Sequence, residues 1–139
     1  MRKINAKATK VLNTLTKDIN SENTYKKVNN AEGCFMAVVV EDVTLQYGVN
    51  EGQFISIAHY FEQNGDLMAD PEMVFWKTTD YNDKTVYYPV YYKMDGFGTE
   101  EISVLFEKGK MSGYYKRMQK DHAVFAGTWM ENIKYQQNI

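Results

Sequence analysis

Cysteine occurs once, at Cys34, so the chain holds no intramolecular disulfide framework and no multi-cysteine zinc site. Histidine occurs twice, at His59 and His122, and arginine twice, at Arg2 and Arg117. Scarce arginine argues against base-specific reading of nucleic acid, which leans on the bidentate guanidinium. No apolar run approaches the roughly 18 residues of a membrane-spanning helix. Met1 to Lys10 is basic without the apolar stretch of a signal peptide, so the cytoplasm is the expected compartment. No Gly-x-Ser-x-Gly elbow and no glycine-rich phosphate loop is present, since Gly96-Phe97-Gly98 lacks the spacing and the following helix. No cofactor is expected.

What is there suffices for a core. The 139 residues are 44% hydrophobic and 24% charged, which suits one folded domain over 1–139. Charge is placed unevenly although the net value is only -2. Residues 1–30 balance to +5, residues 31–40 to -1, residues 41–107 to -10 and residues 108–139 to +4. Two faces of opposite potential follow if the basic ends pack together on one side of the acidic middle. Charged side chains are also the ordinary device of solubility.

Periodicity divides the chain into helix, strands and helix. Ile4, Ala8, Val11, Leu12, Leu15 and Ile19 recur at helical spacing, and residues 20–33 read as a polar loop completing an N-terminal unit, 1–30. Residues 35–107 are strand-rich. Phe35 to Tyr47 reads as one strand, with Cys34 a small buried hydrophobe at its head. Asn64-Gly65 joins Phe54–Gln63 to Asp66–Lys77, and this pair favours a type I′ turn because both central residues need positive φ. That turn pairs Gln63 with Asp66, Glu62 with Leu67, Phe61 with Met68, Tyr60 with Ala69 and His59 with Asp70. Pro71 lacks a donor, so a bulge is expected at Asp70-Pro71. Thr85 to Lys93 is a tyrosine-rich strand that Pro89 marks as an edge or a bulge, and Glu101 to Glu107 is a fifth run.

Residues 108–139 read as a basic linker, loosened between Gly109 and Gly113, and a helix of roughly four turns capped by Asp121. Its apolar stripe is Phe125, Trp129 and Ile133, with Ala126 and Met130 beside it. His122, in its first turn, reads as a surface or packing residue. Gly127 suggests a close approach to another backbone. The expected fold is α+β: an antiparallel sheet of four to five strands with an N-terminal and a C-terminal helix packed on one face.

The stretch His59 to Trp76, with its Asn64-Gly65-Asp66 turn and Asp70-Pro71-Glu72-Met73, resembles an uncharacterised bacterial and archaeal domain family. Tyr88-Pro89-Val90-Tyr91-Tyr92 before Asp95-Gly96-Phe97-Gly98, and Phe125-Ala126 with Trp129, Asn132 and Ile133, match the same family. The likeness spans roughly residues 35–137 and leaves out the N-terminal helix. The family's usual glycine after the final glutamine is Asn138 here. The resemblance implies a setting on phages, plasmids and conjugative elements, and a fold. It implies no reaction and transfers no functional residue.

The residues themselves supply one candidate cluster: His59, Glu62, Asp66, Asp70 and Glu72, with Trp76 and Asp95 in the same acidic stretch. In the derived register Glu72 falls near Ile57 on the side of His59, so a metal site or a His59–Asp70 base pair is one reading. A cross-strand His–Asp pair is also an ordinary sheet contact, and Asp before Pro or after Asn-Gly is an ordinary turn residue. The tyrosines could stack bases, but that use wants basic neighbours. Core packing, strand propensity or an aromatic protein-binding patch suit an acidic region better.

Three function classes follow. The first is a non-catalytic interaction protein of a mobile element, whose acidic sheet meets a basic host protein such as a defence protein or nuclease. The second is a nucleic-acid-binding accessory using the basic termini. The third is a metal-dependent enzyme around His59 and Asp70. The sequence assigns no oligomeric state.

Overall fold

A computed structural model describes residues 1–139. Helix α1 runs Ala6–Thr16, and Asn5 caps it by accepting the Ala8 amide at 2.8 Å. Ala8, Val11, Leu12 and Leu15 form its buried face, as the helical spacing requires.

The sheet is an antiparallel meander of six strands in chain order, not four or five. They are β1 (Tyr25–Val28), β2 (Val38–Asp42), β3 (Gln53–Gln63), β4 (Asp66–Thr79), β5 (Thr85–Met94) and β6 (Thr99–Ile102). Strand β1 lies inside the stretch expected to be loop. It has one apolar residue beyond its tyrosine, so its own pattern is weak, and it is held by pairing with β2. The expected long strand from Phe35 stops at Asp42, where a one-turn helix α2 (Thr44–Tyr47) begins. The Asp42 carboxylate accepts the Thr44 amide at 2.8 Å and so starts that turn. Cys34 is exposed in the preceding turn, not buried at a strand head.

The fifth run is also split. At the buried Ser103 the chain leaves the sheet, and β7 (Val104–Glu107) pairs with β8 (Lys110–Tyr114) in a separate hairpin. The Gly109–Gly113 stretch is therefore largely strand. Helix α3 (Lys116–Gln137) is longer than expected and starts before Asp121, which lies inside it and caps nothing.

The Asn64-Gly65 turn has the expected backbone, with φ of 53° and 87°. The register from Gln63↔Asp66 to Tyr60↔Ala69 follows it, and pairing then resumes at Ala58↔Glu72. His59 thus stands opposite two residues, Asp70 and Pro71, in the bulge that proline requires. The cost of Pro89 is met in the same way, at a register shift beside Phe75, with β6 on the other side of β5.

Both helices cover one face of the sheet. Leu12, Leu15, Met130 and Ile133 from the helices meet Ile55, Ile57, Met73, Phe75 and Tyr87 in the main core. Each large apolar side chain buried there contributes roughly 1.5–3 kcal/mol. Trp129 and Ile133 are buried as expected, while Phe125 sits at the margin, about a third exposed. On the opposite, outer face a smaller core of Val43, Val49, Phe54, Val74, Val90 and Val104 lies at one end. Tyr47 and Trp76 stack on the two sides of Phe54, at 4.4 and 5.8 Å, and Phe106 meets all three edge-on.

Gly127 marks a close approach, to a side chain instead of a backbone: a methyl group there would lie 2.7 Å from Asn5 Nδ2. An added methyl would displace the cap of α1. Gly127→Ala should therefore fail to yield the gain of about 1 kcal/mol that the exchange brings inside a helix. In an Asn5→Ala background that gain should appear. A double-mutant cycle by urea denaturation measures the coupling, expected at about 0.5–2 kcal/mol.

Candidate functional site

The seven residues singled out in the sequence do not form one cluster. His59 faces α3, buried, with its ring edge-on to Trp129 at 5.5 Å. Glu72 faces the opposite way and accepts the Ser56 hydroxyl at 2.7 Å on the outer face. The expectation that Glu72 shares a side with His59 is thus overturned. The bulge resumes pairing at Ala58↔Glu72 and puts Met73 opposite Ile57. Asp70 remains close enough to His59 to act on it electrostatically. Glu62 and Asp66 are exposed beside the hairpin turn. Trp76 belongs to the outer aromatic stack and donates its indole N–H to the Glu51 carbonyl at 2.9 Å. Asp95 is structural: it accepts the Ala69 amide at 2.6 Å and lies 3.5 Å from the Lys93 ammonium. No three His, Cys, Asp or Glu side chains are grouped so as to hold a metal ion together.

Two arrangements take the cluster's place. The first lies under α3, where five rings follow one another from His59 through Trp129, Phe125 and Tyr92 to His122. Neighbouring centroids are 5.5 to 6.1 Å apart. His122, expected in the first turn as a surface or packing residue, lies in the second turn of α3 and is buried, with its Nε2 2.9 Å from Glu101 Oε1. Burial holds the His59 imidazole below its usual pKa, and Asp70 only partly offsets this. The belt lies between helix and sheet, and burial favours the neutral form of His59 within it.

The second arrangement is the outer face itself. Strand alternation brings Glu41, Ser56, Ala58, Tyr60, Glu72, Tyr91 and Glu100 to that side. Tyr91 donates its hydroxyl to Glu100. Burial first, then the nearby Glu72, pushes the Tyr47 hydroxyl up to about 12. Burial also pushes Tyr60 up to about 12, helped by Glu72, Glu41, Tyr25 and Asp95 in that order. These phenols are hydrogen-bond donors at neutral pH, set among carboxylates. The face is acidic and aromatic, with Lys27 and Lys93 as its nearby cations.

Sequence reading missed Glu41, Tyr60, Tyr91 and Glu100 as a group. Alternation within each strand places them on one side, but their sharing a face across four strands needs the pairing order. The basic ends divide as well. Lys7, Lys10 and Lys134 line a groove by α1 and α3, but Lys26 pairs with Asp18 at 2.7 Å and Lys27 enters the outer face with β1.

Residues 4–139 match DUF6908, described as a domain of unknown function, and the chain belongs to that family. The match includes α1, so the family unit is wider than the 35–137 stretch that carried the resemblance. No curated protein and no solved structure matches the chain. No helix is long and apolar enough to cross a membrane.

The neutral His59 fixes a pH dependence. Its folded pKa lies below the ordinary value of about 6.5, so the unfolded chain takes up the proton first. His59 thus leaves stability intact above about pH 6.5 and lowers it as pH falls from there toward the folded-state pKa. Urea midpoints measured from about pH 7.5 down to 5.5 should fall across that window. His59→Phe, which keeps a ring against Trp129, should flatten the fall.

Proposed function

We propose that this protein is a non-catalytic interaction protein whose acidic outer sheet face meets a basic surface of a partner protein. The observation that carries this reading is the division of the sheet. Both helices lie on one face, and the other presents Glu41, Glu72 and Glu100 among tyrosines over the part that α2 and the β7–β8 hairpin leave uncovered. Carboxylates set on a rigid sheet, with phenol donors between them, complement lysine and arginine in a way that speeds encounter and selects partners. Tyrosine adds contact area at low entropic cost. A setting on a mobile genetic element, within the cytoplasm, fits the resemblance in residues 59–76. A host defence protein or nuclease with a positive groove is then a partner of suitable chemistry. The nucleic-acid reading draws on Lys116, Arg117 and Lys120 at the start of α3, which lie apart from the Lys7–Lys10–Lys134 groove along the sequence of that helix.

The test is pull-down from host lysate at about 50 mM salt, where charge contacts are little screened. The wild-type chain should retain a basic protein, and raising the salt should release it. The combined variant Glu41→Gln, Glu72→Gln, Glu100→Gln should lose about tenfold in affinity for that protein. Equal retention by variant and wild type would overturn the reading. A gel shift of DNA or RNA at the same salt that vanishes in Lys116→Ala, Arg117→Ala, Lys120→Ala would favour the basic side instead.

A further inference from the structure

The outer face has an open end as well as a closed one. Phe54 and Tyr60 lie six positions apart on β3, a span of roughly 20 Å. Around Phe54 every ring is stacked or met edge-on by another. Around Tyr60 the rings are free. Tyr25, Phe35 and Tyr60 line a cavity of about 640 Å³ between the 29–37 loop and strands β1 to β4, where Leu67 completes the wall, and none of the three rings stacks on another ring. Tyr25 is 53% and Phe35 42% exposed, so two of the three rings stand as open walls. Ala37 and Val39 are among the small residues between them, and Glu41 pairs directly with Tyr25 across β1 and β2.

The chemistry of this cavity is specific. An aromatic face attracts a cation through its quadrupole, and the attraction grows as the cation loses water. Glu32 and Glu41 on the cavity wall, with Glu72 beside Tyr60, add full negative charge. Lys27 is the one cation on the wall and works against them. We infer that the cavity framed by Tyr25, Phe35 and Tyr60 is a cage for a lysine or arginine side chain of a basic protein partner, with Glu41 as its counter-charge. This deepens, and rests on, the reading of the outer face as acidic docking surface. It names the place on that face where one cationic side chain is anchored, and the remaining carboxylates serve encounter.

The experiment is a backbone amide NMR titration of the full chain with a peptide of six arginines, and with the same peptide built from citrulline, which keeps shape and loses charge. The arginine peptide should shift amides of residues 25–28, 35–41 and 60, and the citrulline peptide should not. Tyr25→Ala and Tyr60→Leu should each weaken binding roughly three- to tenfold, in line with one lost cation–aromatic contact. Tyr25 is exposed and Tyr60→Leu keeps an apolar side chain, and unchanged amide spectra elsewhere confirm that both variants are folded. Lys27→Ala should tighten binding, a change of sign that lost packing does not produce. If the peptide binds and its shifts centre on Glu72, Tyr91 and Glu100 instead, or if the tyrosine variants bind as wild type does, the cage is overturned and the acidic face stands. If the arginine peptide shifts nothing at low salt, both are overturned.

Discussion

The pairing register of β3 with β4 is the constraint on which the molecule depends. These are its two longest strands, and they occupy the middle of the sheet. Their register sends Ile55, Ile57, His59, Met73 and Phe75 toward the helices and Phe54, Ser56, Ala58, Glu72 and Val74 outward. Because side chains alternate with a period of two, a slip of one residue would exchange these sets. Ionic and hydroxyl groups would then meet Leu12, Leu15 and Met130, and the apolar set would face solvent. The turn holds the register from one end, since both of its central residues have positive φ and Asn-Gly tolerates this at little cost. The bulge at Asp70-Pro71 corrects it in the middle.

That same turn was the most legible feature of the chain, and its neighbours show why legibility stops where it does. Asn64-Gly65 is a local signal: the residues that need the conformation are the residues that carry it. The helical spacing of α1 is local in the same sense. Strand β1 is not, because Tyr25 to Val28 acquires strand geometry from β2 and has little amphipathic pattern of its own. The separation of β7 from β6 rests on the single buried residue Ser103, whose amide donates to Val90 and whose carbonyl accepts from Tyr115. Nothing in the composition of Glu101 to Glu107 announces that exchange of partners. Helix α3 begins as early as Lys116, and in its first turn the buried Gln119 amide group donates to the Arg2 carbonyl while its oxygen accepts the Arg2 amide. A glutamine in that position looks like a solvent-facing residue until the chain terminus is laid against it.

The candidate site shows the limit more sharply. His59 and Glu72 are thirteen positions apart and only one bulged residue decides whether they share a face. The presence of a bulge was readable from proline, whereas its effect on facing was not, because a bulge can be absorbed on either side of the proline. The separation has a physical logic. His59 under α3 is shielded, and its neutral form is favoured by burial. Glu72 on the outer face keeps a hydroxyl partner in Ser56. Placed together under the helix, a carboxylate and an imidazole would need mutual pairing to offset desolvation, and the core would gain a group costly to bury. The fold instead spends its helix face on apolar and aromatic contact and leaves its carboxylates where water reaches them.

The outer face carries aromatic rings as well as charge. Ser56 and Ala58, small and nearly inaccessible, lie covered at mid-strand. Taller residues stand around them: Glu41 on β2, Glu72 on β4, and the rings of Tyr47 and Tyr60 toward the two ends of β3. A flat acidic sheet would hold hydrated cations loosely, since each exposed charge pair is worth little and is screened by salt. On the proposed reading, phenol rings beside the carboxylates change that balance, because a cation that meets aromatic surface sheds part of its water. On that reading, discrimination between partners rests on the placement of the rings as well as on net charge. Phe106 and Trp76 pack edge-on at the Phe54 end of β3, whereas Tyr25, Phe35 and Tyr60 stack on no other ring, and that is where the proposed cage lies.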